Sequence, residues 1–151
     1  MFTKSIWNAF ADIHDFPILD KPTKADVAII GGGVTGISTA RLLADKGLSV
    51  VVLESRKIGG GTTSHSTGNL YFTIDQILSS LLSKWDLDTV KQVIGSRTGA
   101  LDQMERWVQK YNLDCDFKRV PWHLYAADAE QNDKIEKEME VLQKAGAPVE
   151  T

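Results

Sequence analysis

The sequence contains a single cysteine, Cys115, in 151 residues. With one cysteine no internal disulfide can form, and there is no cysteine cluster that could bind zinc or an iron–sulfur centre. We therefore expect a reducing, cytoplasmic environment and no metal site. Long apolar runs are also missing: nothing approaches the ~18 residues of a membrane-spanning helix, and the first residues lack the apolar core of a signal peptide. Neither export nor membrane insertion is expected.

An excess of positive charge is absent as well. The chain has 17 lysines and arginines against 20 aspartates and glutamates, for a formal net charge of −3, and the two signs are interspersed. Such a chain lacks the basic patch that nucleic acids and anionic membranes require, so we expect neither as a partner. The length and the 42% hydrophobic content are those of one ordinary domain with a buried core.

Two short apolar runs enclose a helical pattern near the start of the chain. The runs at 26–31 (DVAIIG) and 48–54 (LSVVVLE) are typical of strands buried on both faces of a parallel sheet. Between them, residues 34–46 have apolar side chains at helical spacing, and Gly47 is placed to end the helix in a left-handed conformation. The pattern predicts a right-handed βαβ unit. The preceding arm, 1–24, contains two prolines and is predicted to be irregular and to lie across the domain surface.

The rest of the chain is mainly helical in pattern. Apolar spacing predicts one amphipathic helix over 77–85 and a longer one that begins near a cap at Asp88 or Thr89. Gly95 and Gly99 weaken the middle of the longer helix and favour a kink or break there.

Two short segments, 113–120 and 123–127, resemble strands and predict a β-hairpin. A last helix is predicted from a cap at Asp128 to Gly146, with Pro148 just beyond it. The charged run within this helix, KIEKEMEVLQK, predicts a solvated face with intrahelical ion pairs.

The turn between the first strand and the helix contains the pattern G-x-G-x-x-G, at Gly31, Gly33 and Gly36. In such a turn the first glycine permits the sharp bend, the second lets the backbone approach a pyrophosphate, and the third allows close packing of helix on strand. Phosphates would lie at the helix N-terminus. Glu54 ends the second strand, where a carboxylate can bind an adenosine ribose. The alternative is a glycine-rich turn of an unrelated α/β protein, with Glu54 solvated.

These residues alone do not determine which dinucleotide binds. The charge of Glu54 would oppose the 2′-phosphate of NADP, whereas Arg56 would accommodate it. NAD and FAD share the ADP half that this unit would bind.

The residues after Glu54 favour one of these cofactors, because they resemble those of a known family. The stretch GGGVTGISTARLLADKGLSVVVLESRKIGGGTTSHSTGN resembles the amino-acid-oxidase-like flavoproteins. Together with SIWNAF, LDCDFKRV and IEKEMEVLQKAG, it is similar to the DadA-like FAD oxidoreductases of the D-amino-acid and glycine oxidase type. Longer members of that branch often carry a C-terminal Rieske domain. The resemblance spans nearly the whole chain and implies FAD as the cofactor.

The resemblance also implies a set of cofactor-binding residues. It places a glycine-loop group around the pyrophosphate, Glu54 on the ribose, two residues along the adenosine, and a turn that approaches the pyrophosphate and flavin. His65, beside that turn, either contacts the flavin or is solvated. The glycine-loop group is Gly31, Gly33, Val34, Thr35 and Gly36, the adenosine pair is Ser55 and Arg56, and the turn is Gly61, Thr62 and Thr63.

The activity implied by the resemblance is oxidation of an amino acid or related amine. A hydride passes to the flavin, and water hydrolyses the resulting imine. No catalytic residue can be assigned within the chain, and the expected partners are a small-molecule substrate and the remainder of a longer chain.

The predicted fold class is α/β: a Rossmann-like βαβ unit with its flavin-side loop at 25–69, then helices and a hairpin that begin a substrate domain at 70–151. Because two parallel strands are fewer than such sheets contain, we expect an incomplete fold from the N-terminal part of a longer protein. An NAD-dependent dehydrogenase, a flavoenzyme of another branch, and a non-enzymatic nucleotide-binding module or inert fragment are the alternatives.

Overall fold

The computed structural model describes residues 5–10, 14–74, 77–147 and 149–150. The chain divides into two compact units, Met1–Asn69 and Leu70–Thr151. The first unit contains helix α1 (Ile6–Phe10), strand β1 (Val27–Ile30), helix α2 (Val34–Ala44), strand β2 (Val50–Leu53) and a 3₁₀ helix (Thr62–His65). The second contains helices α3 (Leu78–Leu81), α4 (Leu87–Tyr111) and α5 (Asn132–Lys144), with a 3₁₀ helix (Ala129–Gln131) before α5.

The predicted βαβ unit is present. Strands β1 and β2 pair in parallel, with Val27 opposite Val50 and Ile30 opposite Leu53, and α2 packs against both. The prediction that both faces are buried is wrong, because Ile30 is 90% exposed and Leu53 38%. Within the described part of the chain the sheet has two strands, so neither outer edge has a partner and little apolar surface is covered.

A side-chain clamp aligns the beginnings of the two strands. The Asp26 carboxylate accepts hydrogen bonds from the Ser49 hydroxyl at 2.6 Å and the Ser49 amide at 2.8 Å. In return, the Asp26 amide donates to Ser49 Oγ at 3.0 Å. The bond from the Ser49 hydroxyl, followed by that from its amide, lowers the pKa of Asp26. The clamp fixes the register at the end of the sheet opposite the glycine turn.

Gly47 adopts a left-handed conformation just beyond α2 and terminates the helical turn there, as predicted. Gly47 has a φ of 84°, its amide donates to the Ala44 carbonyl at 2.9 Å, and the Leu48 amide donates to the Leu43 carbonyl at 3.2 Å. These two bonds form a Schellman motif, which satisfies carbonyls that the helix itself leaves without donors. The chain then turns directly into β2.

The N-terminal arm is only partly irregular. Residues 14–24 contain no helix or strand, as predicted, but Ile6–Phe10 forms α1. The hydroxyl of Ser5 accepts a hydrogen bond from the Asn8 amide at 3.2 Å and so satisfies one of the free donors of this short helix. Pro17 lies well beyond its end, so the prolines do not prevent a single helical turn here.

The second unit is built around a small helical core. Helices α3 and α5 pack against each other, and the buried apolar side chains come from both helices, from α4 and from the residues after α5. No helix among the described residues is long and apolar enough to cross a membrane. The core side chains are Leu78, Val90, Ile94, Val141, Leu142 and Ala147.

Helix α4 begins slightly earlier than predicted. Its cap is Asp86, whose carboxylate accepts a hydrogen bond from the Thr89 amide at 2.8 Å, so the placement of the cap at Asp88 or Thr89 is wrong. Bonds from the Thr89 amide and then its hydroxyl lower the pKa of Asp86. A cap three residues before the donor matches the usual geometry.

Two other helix predictions need correction. Helix α4 runs without a break through Gly95 and Gly99, since two glycines cost only about 1 kcal/mol each in a helix whose apolar face is packed. The helix expected over 77–85 is limited to Leu78–Leu81. Beyond it the chain forms turns, in which Leu82 still packs against the core whereas Trp85 is 60% exposed.

The predicted hairpin is also wrong. The described residues between 112 and 128 form no strand. Asp116 has a φ of 51°, which interrupts an extended chain, and Val120 and Tyr125 are 76% and 80% exposed. Alternating apolar residues favour a strand only where one face is covered, and here neither face is.

The last helix is followed by Gly146 as predicted, but it begins later than predicted. Asp128 caps the 3₁₀ helix Ala129–Gln131, and the N-cap of α5 is Gln131. The Asp128 carboxylate accepts from the Gln131 amide at 3.1 Å, and Gly146 has a φ of 77°.

The charged run of this helix is not fully solvated. Glu140 and Lys144 form an ion pair at 2.6 Å, whereas Glu138 is buried and 3% exposed. Pro148 lies outside the described residues.

Candidate dinucleotide-binding site

The glycine turn brings the start of α2 directly onto the end of β1. Gly31 has a φ of 103°, and its amide donates to the Leu53 carbonyl at 2.8 Å. A Cβ atom on Gly36 would overlap the Gly31 carbonyl oxygen. The close packing of helix on strand that was expected of Gly36 is therefore present, and no larger residue fits at that position without a shift of the backbone.

The segment after β2 folds over the first turn of α2. Thr63 Oγ1 accepts a hydrogen bond from the Val34 amide at 3.0 Å, and it lies 3.2 Å from where a Cβ on Gly33 would be. The Val34 amide is thus already bonded within the protein. The amides of Thr35 and Gly36 lie in the first helical turn, where a helix provides no carbonyl acceptor.

Glu54 is held in place by main-chain amides. Its Oε2 atom accepts from the Gly32 amide at 2.8 Å, and its Oε1 atom accepts from the Arg56 amide at 2.9 Å. The hydrogen bond from the Gly32 amide, and next that from the Arg56 amide, lower the pKa of Glu54. The carboxylate is therefore charged and oriented at neutral pH, and it retains lone pairs for a further donor.

Gly32 is a site residue that the sequence analysis did not single out. It is buried, its amide binds Glu54, and its carbonyl accepts from the Gly59 amide at 2.8 Å. A Cβ on Gly32 would overlap Ile58 Cδ1. The middle glycine of the run GGG was the available signal, because the G-x-G-x-x-G pattern does not require glycine at that position.

The flavin-side turn, residues 61–65, is held together by hydrogen bonds within the turn. The Gly61 carbonyl accepts from the amide and hydroxyl of Ser64 at 3.2 and 2.9 Å and from His65 Nδ1 at 3.0 Å. His65 is exposed, and this bond requires the proton on Nδ1. Arg56 Nη2 lies 3.6 Å from where a Cβ on Gly61 would be. The role of His65 toward the cofactor stays a prediction.

All the predicted cofactor residues lie in the first unit, on the segments that follow β1 and β2. Because the strands are parallel, their carboxyl ends meet at one edge, the usual position of ligands in such sheets. Direct contacts join Gly32 to Glu54 and Val34 to Thr63. Ser55 Oγ also lies 3.4 Å from Glu54 Oε1, and Thr35 and Thr62 lie on the same two segments.

Comparison with known proteins identifies the family. The family model described as DAO, FAD dependent oxidoreductase, matches residues 26–151. The chain belongs to this family. The predicted resemblance to the D-amino-acid and glycine oxidase type of flavoprotein is confirmed, and the cofactor of the family is FAD.

Curated relatives of this DAO family chain include two bacterial proteins. "Putative Rieske 2Fe-2S iron-sulfur protein YhfW" of Bacillus subtilis is 32% identical over 143 residues, which cover 95% of this chain and 28% of the relative. Gamma-glutamylputrescine oxidoreductase of Escherichia coli is 30% identical over 133 residues, covering 87% of this chain and 30% of the relative. The chain thus spans about three-tenths of the length of these relatives.

A third relative matches a shorter segment. Flavin-containing amine oxidase B of Homo sapiens is 55% identical over 40 residues, or 26% of this chain and 8% of that protein. No solved structure matches the chain significantly.

The Rieske name of one relative does not place an iron–sulfur cluster among these 151 residues. A Rieske centre is held by two cysteines and two histidines, and Cys115 is the single cysteine of this chain. The ligand set cannot be completed from the residues present.

Proposed function

We propose that the protein oxidises an amino acid or a related amine with FAD as the electron acceptor, and that the site at the carboxyl ends of β1 and β2 binds the ADP half of FAD. The observation that carries this proposal is the fixed carboxylate of Glu54. Two main-chain amides hold it at the end of β2, beside the glycine turn. A charged, oriented acceptor in that position suits the hydroxyls of an adenosine ribose.

The residues around the glycine turn fit a pyrophosphate. The positions of Gly31 and Gly33 present main chain without a Cβ, and the amides of Thr35 and Gly36 have no helical acceptor. The positive end of the α2 dipole favours negative charge at the same place. In the proposal, Gly31, Gly33, Val34, Thr35 and Gly36 surround the pyrophosphate, while Ser55 and Arg56 lie along the adenosine.

The turn at 61–65 fits the side nearer the flavin. Thr63 bonds the first turn of α2, so a group held by the helix start lies within reach of this turn. In the proposal Gly61, Thr62 and Thr63 position the part of FAD between the pyrophosphate and the ring, and His65 lies next to them. No catalytic side chain of this chain is part of the proposal.

The amine class of substrate rests on the relatives. One is named a gamma-glutamylputrescine oxidoreductase and another a flavin-containing amine oxidase. FAD, when bound, supplies a two-electron acceptor for a hydride from the carbon that bears the nitrogen. The contribution of this chain is to bind and orient the dinucleotide.

The test is the visible absorption spectrum of the purified full-length protein, with the released cofactor identified by mass. We expect a flavin spectrum, release of FAD, and bleaching of the flavin band when a suitable amine or amino acid is added without oxygen. A folded protein that is colourless and gains no spectrum with added FAD would overturn the proposal. Bleaching by alcohols or hydroxy acids alone would retain FAD and reject the amine substrate.

Replacing Glu54 by glutamine is expected to weaken FAD binding about tenfold. The amide group of glutamine cannot accept from both main-chain donors that now bind the carboxylate, and it removes the charge that favours the ribose hydroxyls. The measurement is titration of the apoprotein with FAD, followed by flavin fluorescence. Glu136→Gln, at an exposed position of α5, is the matched control and should bind like the wild type. Equal affinities for all three proteins would remove Glu54 from the site.

A further inference from the structure

The N-terminal arm is bonded to the segment that follows the flavin-side turn. The indole Nε1 of Trp7 donates a hydrogen bond to the Ser66 carbonyl at 2.7 Å. Trp7 is 43% exposed, so the ring is not a core residue, and its one polar atom is directed to this carbonyl. The bond joins residues 59 positions apart in the sequence.

The shape of the segment matches the indole ring. Gly68 has a φ of 76°, and a Cβ at this position would lie 2.6 Å from Trp7 Cζ2 and 2.8 Å from Trp7 Cη2. A larger residue at position 68 would therefore be strained and would also displace the ring. The ring therefore occupies the space that a side chain at position 68 would need.

The arm meets the same region at a second point. Asp15 forms an ion pair with Lys57 at 3.0 Å, and both side chains are more than half exposed. An exposed pair of this kind contributes little to stability. Its position matters more, because Lys57 precedes the flavin-side turn and Ser66 follows it. The arm therefore contacts the chain on both sides of 61–65.

A continuous series of contacts leads from Trp7 to the start of α2. Trp7 bonds the Ser66 carbonyl, the Ser66 amide donates to the Thr63 carbonyl at 3.3 Å, and Thr63 Oγ1 accepts from the Val34 amide. The segment 59–69 consists mainly of glycine, serine and threonine, a composition with many accessible backbone conformations and a high entropic cost of ordering.

We propose that Trp7 is a positioning residue for the FAD site: its bond to Ser66 and its contact with Gly68 hold the flavin-side turn in the conformation that binds the cofactor. This inference rests on the proposed function. Trp7 itself is not placed in contact with FAD. Its effect is to reduce the ordering that the turn must undergo when FAD binds, which strengthens binding without adding a contact.

The experiment compares FAD and AMP binding in the full-length protein and in Trp7→Phe and Trp7→Ala variants. AMP contains the adenosine ribose and one phosphate but not the flavin, so it tests binding at Glu54 and the glycine turn without the flavin half of the cofactor. Loss of the indole N–H in Trp7→Phe should weaken FAD binding about fivefold, and Trp7→Ala about tenfold, with AMP binding unchanged. Trp85→Phe, an exposed tryptophan of the second unit, is the matched control and should change neither.

The outcomes separate this inference from the proposed function. If the wild type binds no FAD, the proposed function fails, and amide hydrogen exchange of 61–69 then decides the role of Trp7. Faster exchange there in Trp7→Ala than in Trp85→Phe would support the ordering of the flavin-side turn by Trp7 while rejecting its role in FAD binding, and equal exchange would overturn both. If the wild type binds FAD and both Trp7 variants bind it equally well, or lose FAD and AMP affinity together, the positioning role is wrong.

Discussion

Replacing Gly36 by alanine is expected to abolish FAD binding and to lower the free energy of local unfolding of α2 by about 3 kcal/mol. The added methyl group would overlap the Gly31 carbonyl oxygen, which is main chain and cannot rotate away. Gly31 is in turn bonded through its amide to Leu53. Relief of the overlap therefore requires α2 to move off the sheet, and the same movement separates the first helical turn from the glycine loop.

The measurement combines titration of the apoprotein with FAD and native-state hydrogen exchange of α2. Gly99→Ala is the matched control, because a Cβ there meets nothing within 4 Å and the residue lies inside α4. That change should stabilise α4 by about 0.5 to 1 kcal/mol and leave FAD binding unaltered. If Gly36→Ala kept the exchange and FAD affinity of the wild type, α2 would not lie as close to β1 as the structure places it.

The βαβ unit could be predicted because its signals are local. A β-branched run, a helical apolar spacing and a glycine at Gly47 each specify a conformation within a few residues. The same holds for Asp128, which caps the 3₁₀ helix before α5, and for Gly146 after α5, since each acts on neighbouring amides and carbonyls. The pairing direction of β1 and β2 then follows from the length of the connection.

Predictions failed where the outcome depends on a distant partner. The segment 113–127 has the alternation of a strand, but a strand needs a paired neighbour, and the described residues supply none. Gly32 looks dispensable in the motif, yet its amide holds Glu54 and its carbonyl holds Gly59. The bond from Trp7 to Ser66 spans most of the first unit, and no periodicity encodes it.

The run KIEKEMEVLQK shows the same limit. Helical spacing indicates which residues share a face, but it does not tell which charged residue is turned inward. Glu138 is buried because two amides of another helix need an acceptor. The Leu78 amide donates to Glu138 Oε1 at 2.6 Å, and the Ser79 amide donates to Oε2 at 2.7 Å. Ile77, the N-cap of α3, makes no side-chain cap bond, so a side chain from α5 replaces the missing cap.

Replacing Glu138 by alanine is expected to lower the free energy of local unfolding of α3 by about 3 kcal/mol, because two amides in or near the core lose their acceptors. The Leu78 side chain is fully buried and the bond from its amide to Glu138 is buried as well, so water can reach this amide only by loosening the core. Glu138→Gln keeps one acceptor oxygen and presents an NH₂ group to the other amide. Its effect should therefore lie between those of the wild type and the alanine variant.

Native-state hydrogen exchange of residues 77–82 is the measurement, and Glu140→Ala is the matched control. Glu140 is on the same helix, and its ion pair with Lys144 has both side chains more than half exposed, so its loss should leave the stability of α3 nearly unchanged. Equal exchange in Glu138→Ala and Glu140→Ala would mean that the amides of α3 are already satisfied by water. Faster exchange in Glu138→Ala alone would identify Glu138 as the cap that joins α3 to α5.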